Sequence, residues 1–170
     1  MTRVRRISAL VLTACCVGPS GASATSQCPP GPTAAVETLC RLNATRIEHG
    51  RRPLRPDPRL ARSAEAHARD MVARHFFAHT TPEGVPFSDR IEQTGWMRRR
   101  PGWSVGETLA WGTAELSTPE AVVRAWLESP RHRHIVLAAR YQRVGIGTAP
   151  GVPVDGLVGG VTYAGDFGSR

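Results

Sequence analysis

Residues 126–137, W-L-E-S-P-R-H-R-H-I-V-L, form the stretch around which the fold is predicted. This stretch joins a tryptophan, a proline that interrupts a helix and two histidines at alternate positions to an apolar run. Such a segment packs firmly while its imidazoles face another part of the chain. Two earlier stretches are the expected partners: residues 75–79 (H-F-F-A-H) and 106–110 (G-E-T-L-A). We therefore expect folding to bring the three stretches together around one cleft.

Helix signals lie on the N-terminal side of this stretch. Apolar residues recur at helical spacing over residues 33–50, which predicts a first helix. A second helix is predicted to begin at Asp57 and Pro58, because aspartate caps helices and proline suits the first helical position. A threonine–proline pair at 118–119 predicts a further helix that leads into the central stretch.

Strand signals occupy other parts of the chain. Residues 103–111 have the β-branched and aromatic content of a strand, and residues 141–149 and 156–167 predict a hairpin around a turn at 150–153. Helices and strands in this order favour α+β layers over βαβ winding. The sequence therefore predicts the α+β class and a three-layer α-β-α sandwich with a central, mainly antiparallel sheet.

The first 24 residues have the pattern of a secretory signal peptide. A basic start at 1–6 precedes an apolar run at 7–17 and a small-residue cleavage site, Ala22-Ser-Ala24. The apolar run is too short to span a bilayer, so we expect a secreted protein with no transmembrane segment. The predicted organisation is a signal peptide at 1–24, a linker at 25–35 and one folded domain at 36–168.

Cysteine usage agrees with export. Removal of the signal deletes Cys15 and Cys16 and leaves Cys28 and Cys40, an even pair in an oxidising compartment, so we predict a disulfide between them. Two alternatives stay open. Residues 12–15 also resemble a lipoprotein box, in which Cys15 would be lipidated and anchor the protein. Cys40 could instead be a small buried apolar residue without a bridge.

Every basic side chain is an arginine. The chain carries 22 of them and a formal net charge of +8, which falls to +5 when the three arginines of the predicted signal are removed. The arginines are scattered except at 98–100, and no basic face alternates with aromatic residues, so we predict no nucleic-acid binding. The positive charge favours retention at an anionic cell envelope.

Two pairs of histidines have spacings that suit a metal. His75 and His79 are four residues apart and would share a face on one helix, whereas His132 and His134 would share a face on a strand. Neither pair is specific by itself, because the sequence has no H-E-x-x-H motif.

Glu107 is the lone charge in the apolar stretch at 104–110. A buried carboxylate is unfavourable unless it is paired, and a buried imidazole needs a hydrogen-bond partner. We therefore predict that Glu107 pairs with His79. His49 and His67 are expected on helix surfaces, in structural or solvated positions.

Eight motifs in order resemble the secreted CAP superfamily, which includes cysteine-rich secretory proteins, antigen 5 and pathogenesis-related 1; the bacterial SCP-like branch matches best. The motifs are R-L-N-A-x-R (41–46), P-L-R-P-D-P-R-L (53–60), A-x-x-H-A-R-D-M (64–71), F-F-A-H (76–79), G-E-T-L-A (106–110), W-L-E-S-P-R-H-R (126–133), V-G-I-G (144–147) and a terminal Y-A-x-x-F-G (163–168). Together they cover nearly the whole predicted domain.

The resemblance implies an α-β-α sandwich with a large cleft. In this superfamily two histidines and two glutamates line the cleft, and divalent metals, often zinc, bind the histidines. Carried over by motif, the histidines are His79 and His132 and the first glutamate is Glu107. The position of the second glutamate holds Ser129, and Thr108 stands where an asparagine is expected. Bacterial members often lack the second glutamate, so the fold expectation is unchanged, but fewer protein ligands are expected for a metal.

Three functions are compatible with these residues. The first, which the sequence favours, is a secreted, monomeric binding module: its cleft holds a weakly bound divalent metal, zinc or another, and an extended ligand such as a lipid, a sterol or a cell-wall fragment. The second is a metal-dependent hydrolase of peptide or glycan, with metal-bound water as nucleophile and Glu107 as general base. The third is a structural or signalling domain in which His79, Glu107 and His132 form only a hydrogen-bonded network.

Overall fold

The structure, a computed structural model, describes residues 28–97 and 102–169, which form five α-helices and four β-strands. The predicted signal peptide, Cys15 and the arginines at 98–100 lie outside the described residues. In chain order the elements are α1 (Ala34–Glu48), β1 (Arg55–Pro56), α2 (Pro58–Ala73), α3 (Phe87–Gln93), β2 (Ser104–Gly112), a 3₁₀ turn (Ala114–Ser117), α4 (Pro119–Glu128), α5 (Pro130–Val136), β3 (Arg143–Pro150) and β4 (Val161–Ser169).

Helices α2 and α4 begin where the capping signals predict. The Asp57 side chain accepts hydrogen bonds from the backbone N–H groups of Arg59 and Leu60 at the start of α2. Thr118 caps α4 in the same way through the N–H of Ala121, and Thr33 caps α1. Each cap satisfies a backbone donor that has no partner inside the helix. The first helix therefore starts inside the segment predicted as a linker.

One sheet contains all four described strands, in the order β1-β3-β4-β2. β4 pairs antiparallel with both β3 and β2, and only the short β1 pairs parallel, with β3. The predicted hairpin and mainly antiparallel sheet are confirmed. β2 is an edge strand, because β4 is its only strand partner in the described part of the chain.

Helix α2 packs against one face of the sheet at unusually close range. A Cβ atom on Gly145 would lie 2.0 Å from the Ala61 nitrogen, and one on Gly147 would lie 2.1 Å from the Glu65 nitrogen. These distances show that the backbone of α2 lies directly on the backbone of β3, with no side chain between them. The small side chains of Ala64 and Ala68 extend the same close contact along α2.

Helices α1, α4 and α5 cover the opposite face of the sheet and complete the predicted three-layer sandwich. Leu42 of α1, Val122 and Trp126 of α4 and Phe167 of β4 are buried in one hydrophobic cluster. The Trp126 indole N–H also donates to the carbonyl of Leu109 at 3.1 Å, which fixes α4 against β2. Helices therefore pack on both faces of the edge strand β2.

The predicted placement of His75, His132 and His134 was wrong. His132 and His134 lie on helix α5 rather than a strand, because Pro130 occupies the first position of a new helix after the short break at Ser129. His75 lies beyond the end of α2 with φ of 54°, so it does not share a helix face with His79.

His67 is buried rather than on a helix surface, with 1% of its surface exposed. It faces the core side of α2, and its Nε2 lies 2.9 Å from the carbonyl oxygen of Ala78. This contact holds the segment that carries His79 against α2. It agrees with the structural role predicted for His67.

The predicted disulfide between Cys28 and Cys40 is present and ties the entry segment to α1. The alternative of an unbridged Cys40 is therefore wrong. Within residues 28–97 and 102–169, no helix combines the length and the apolar character needed to cross a bilayer.

Candidate functional site

His79 and Glu107 form a direct hydrogen bond. His79 lies in the segment between α2 and α3, and its Nδ1 is 2.8 Å from Oε1 of Glu107 on β2. The Glu107 side chain is completely buried, whereas 49% of the His79 side chain is exposed. A neutral His79 ring that donates its Nδ1–H to Glu107 presents the lone pair of Nε2 for another interaction. Glu107 therefore fixes the orientation of the exposed imidazole.

Arg90 of α3 is the second partner of Glu107, and the sequence analysis missed it. Its guanidinium contacts Oε2 of Glu107 and also donates to the carbonyl of His79 at 3.0 Å. The buried carboxylate is thus compensated by a largely buried cation that also holds the backbone of His79. The requirement for such a cation follows from a buried glutamate, but the sequence does not indicate which of its arginines supplies it.

His132 approaches the same place from the other layer. The rings of His79 and His132 are 6.4 Å apart, measured between their centroids. Ile135 of α5 faces Gly106 on the side of β2 opposite to Glu107, since neighbouring residues on a strand point to opposite faces. The two imidazoles therefore lie close to each other beside the edge strand β2. Burial, and to a smaller extent the neighbouring His79, lowers the pKa of His132.

Ser129 and Thr108, the positions that depart from the family pattern, have structural surroundings. Ser129 is the half-buried residue between α4 and α5, and its carbonyl accepts the N–H of Arg133 at 2.8 Å. Thr108 is fully buried, and its hydroxyl lies on the side of the sheet away from Glu107, near Gly165. Thr108 therefore does not contribute to the face on which Glu107 and His79 meet.

Asp166 is a second buried carboxylate next to Glu107. The two residues are directly opposite in the β2–β4 register, so their side chains share a sheet face. Asp166 is fully buried, and neither of its oxygens makes a hydrogen bond of normal geometry among the described residues. Burial, followed by the charge of Glu107, raises the pKa of Asp166 well above its usual value of 3.8. A lone acid in the apolar strand V-T-Y-A-G-D-F is the signal that would have identified it.

Asp166 makes the stability of the fold depend on pH in a defined direction. Because its pKa is raised in the folded state, the folded protein binds this proton more tightly than the unfolded chain does, and the resulting stability is lost as pH rises. We expect Asp166→Asn to raise the free energy of unfolding at pH 8 by about 1 kcal/mol or more and to change it little at pH 4. Urea unfolding at both pH values measures the difference; equal effects at pH 4 and pH 8 would contradict the assignment.

The site offers two imidazoles to a metal. Within the described ranges, no three histidine, cysteine, aspartate or glutamate side chains converge closely enough to hold an ion. His79 and His132 would fill two positions of a tetrahedral zinc site, and water or a bound ligand would have to supply the others. Two histidine ligands suit a divalent ion that is weakly bound and keeps open coordination positions. They are too few for a structural metal whose coordination is completed by protein side chains.

Comparison with known proteins places these residues in a family context. The sequence model described as "CAP: Cysteine-rich secretory protein family" matches residues 39–158. The chain is also 34% identical over 125 residues to the uncharacterized protein YkwD of Bacillus subtilis. The matched region covers 72% of this chain and 46% of YkwD. It therefore spans about half the length of that relative.

Two solved structures share the fold. One is an extracellular protein containing an SCP domain from Bacillus anthracis, with a TM-score of 0.64, 23% identity and coverage of 84% of this chain and 45% of that protein. The other is an outer surface protein of Borrelia burgdorferi, with a TM-score of 0.65, 20% identity and coverage of 81% and 92% respectively. At 23% and 20% sequence identity, the similarity to these two structures shows a common fold and nothing further.

Proposed function

Because this chain belongs to the cysteine-rich secretory protein (CAP) family, we propose that it is an extracellular binding module. In this proposal His79 and His132 bind a divalent metal such as zinc weakly, and the surface around them binds an extended ligand: a lipid, a sterol or a cell-wall fragment. The extracellular location is supported by two proteins with the same fold, one described as extracellular and one as an outer surface protein.

The observation that carries the proposal is the 2.8 Å contact between Nδ1 of His79 and Glu107. Histidines that bind metals usually donate their second ring nitrogen to a carboxylate, which fixes the ring and increases its basicity. Glu107 supplies such a carboxylate from a buried position, and the other edge of the His79 ring is free to face His132. The lowered pKa of His132 favours its neutral form, which is the form that binds a metal.

The surroundings of Glu107 favour binding over hydrolysis. A general base must reach the proton that it removes, directly or through one water molecule. Glu107 is completely buried, with Oε1 bonded to His79 and Oε2 bonded to Arg90. These contacts suit a residue that orients His79, so we assign no catalytic residue in this site.

Calorimetric titration of the mature protein with zinc tests the metal part of the proposal. We expect one weak site per chain, and we expect both His79→Ala and His132→Ala to reduce its affinity by about tenfold or more, since each removes one of two protein ligands. His134→Ala is the matched control, because His134 is exposed on the same helix as His132.

Equal affinity in all three variants would refute the assignment of the two histidines. The same titration with lipid vesicles, sterols and soluble cell-wall fragments, in zinc-loaded protein, tests the ligand part. Absence of binding to every one of these probes would refute it while leaving the metal result intact.

A further inference from the structure

A second, separate feature lies at the end of the molecule formed by the loop after α1, the C-terminal end of α5 and the start of β3. Two cavities of about 750 Å³ and about 510 Å³ adjoin there. They share Arg51 and Ala139 in their walls, so they form one continuous two-lobed groove. We refer to it as the basic groove.

The basic groove is lined by positive charge without acidic compensation. Neither lobe has an aspartate or glutamate among its lining residues in the described part of the chain. Within residues 28–97 and 102–169, none of its arginines makes an ion pair, whereas Arg41, Arg69, Arg74 and Arg90 elsewhere all do. The groove arginines are Arg51, Arg52, Arg55, Arg133, Arg140 and Arg143.

A buried arginine holds the walls of the groove in place. Arg46 of α1 is completely buried, and its guanidinium donates to the carbonyls of Arg52, Val136 and Ala138. Arg52 lies in the loop after α1 and Ala138 lies just after α5, and these two segments line the two lobes of the groove. Burial, followed by the charge of Arg51, lowers the pKa of Arg46, which places Arg51 close to a second fixed cation. Arg46 therefore holds together the backbone segments that carry the groove arginines, whereas most of the groove arginine side chains are exposed.

The basic groove is distinct from the site at His79 and His132. Pro130, Arg133, His134 and Leu137 line one lobe, and their spacing of three, four and seven residues places them on one face of α5. At about 100° per residue, His132 falls on the opposite face of the same helix. The helix thus separates the groove from the imidazole pair.

We propose that the basic groove is a binding site for an anion that carries at least two phosphate groups. Like-charged guanidinium groups gathered around one space repel each other, and a multiply charged anion removes that repulsion. Guanidinium groups match the oxygens of phosphate through paired hydrogen bonds. The two lobes, which meet at Arg51, give room for more than one phosphate group. Anions of this kind occur as soluble oligophosphates and as lipid headgroups that carry two or more phosphate groups.

Binding of inorganic pyrophosphate to metal-free mature protein, measured by calorimetry, tests the soluble source. We expect the double variant Arg51→Gln/Arg140→Gln to weaken binding by about tenfold or more, because it removes one cation at the junction and one in the smaller lobe. The matched control is Arg62→Gln/Arg124→Gln, which removes two exposed arginines from α2 and α4 and should leave the affinity within about twofold.

Co-sedimentation with vesicles of phosphatidylcholine, with and without cardiolipin, whose headgroup carries two phosphate groups, tests the lipid source with the same variants. Loss of either interaction in the groove variant alone supports the proposal and identifies the source. Equal weakening in both double variants, or no binding to pyrophosphate and to anionic vesicles, would overturn it. His132→Ala should bind both probes as the wild type does, so failure of the metal proposal and failure of this one give different results.

Discussion

Replacing Gly147 with alanine is expected to destabilise the fold by about 4 kcal/mol or more. The new Cβ would lie 2.1 Å from the nitrogen of Glu65 and 2.3 Å from the carbonyl carbon of Ala64, and both are backbone atoms of α2. No rotamer change can relieve a contact of this kind, so α2 must move away from β3. That movement would open the core on the face of the sheet that carries Glu107. Chemical unfolding followed by circular dichroism measures the loss.

Gly50→Ala is the control for this prediction. Gly50 has a positive φ of 67°, but a Cβ atom added there would have no neighbour within 4 Å. An alanine at this position would therefore have a strained backbone conformation but no steric clash. We expect a loss of about 1 kcal/mol. Gly147 is not among the glycines with positive φ, so equal destabilisation by the two substitutions would show that the contact between α2 and β3 does not have the expected cost.

Replacing Glu107 with glutamine is expected to reduce the free energy of unfolding by about 3 kcal/mol and the zinc affinity by about tenfold or more. The substitution keeps the size of the side chain but removes the charge that compensates Arg90, whose side chain is only 11% exposed. It also replaces the carboxylate that accepts the Nδ1–H of His79. Urea unfolding measures the first effect and calorimetric zinc titration the second.

Glu65→Gln provides the comparison for the charge effect. Glu65 pairs with Arg69 on α2, but both side chains are well exposed, at 45% and 68%. Loss of a solvated pair of this kind should change the stability by less than about 1 kcal/mol. A similarly small effect at Glu107 would show that Arg90 finds another partner, of which the buried Asp166 is the nearest acid on that face.

Most of the architecture could be predicted because its signals are local. Asp57 and Thr118 cap helices through atoms within three residues of themselves, and the V-G-I-G motif places two glycines on the face where α2 packs. α5 was missed because alternating histidines resemble a strand pattern, while the proline before them was interpreted only as a break. A proline is compatible with the first position of a helix, so the same residue can end one helix and begin the next.

The candidate site was predictable only in part. Glu107 could be identified as a buried charge in need of a partner, and the same argument applied to Asp166 would have found the second carboxylate. Arg90 could not be chosen in advance, because its position depends on how the segment from α2 to α3 turns. The basic groove was hidden for a similar reason: its arginines come from segments that are about 80 residues apart in the chain.

The order of strands in the sheet also bears on how the protein is made. β4 lies between β3 and β2 and pairs along the whole length of β2, yet it is the last of the four strands to be synthesised. Among the described strands β2 pairs only with β4, so the four-stranded sheet cannot be completed before residues 161–169 are available. Until then the edge of β2 is unpaired, and unpaired strand edges favour aggregation of incompletely folded chains.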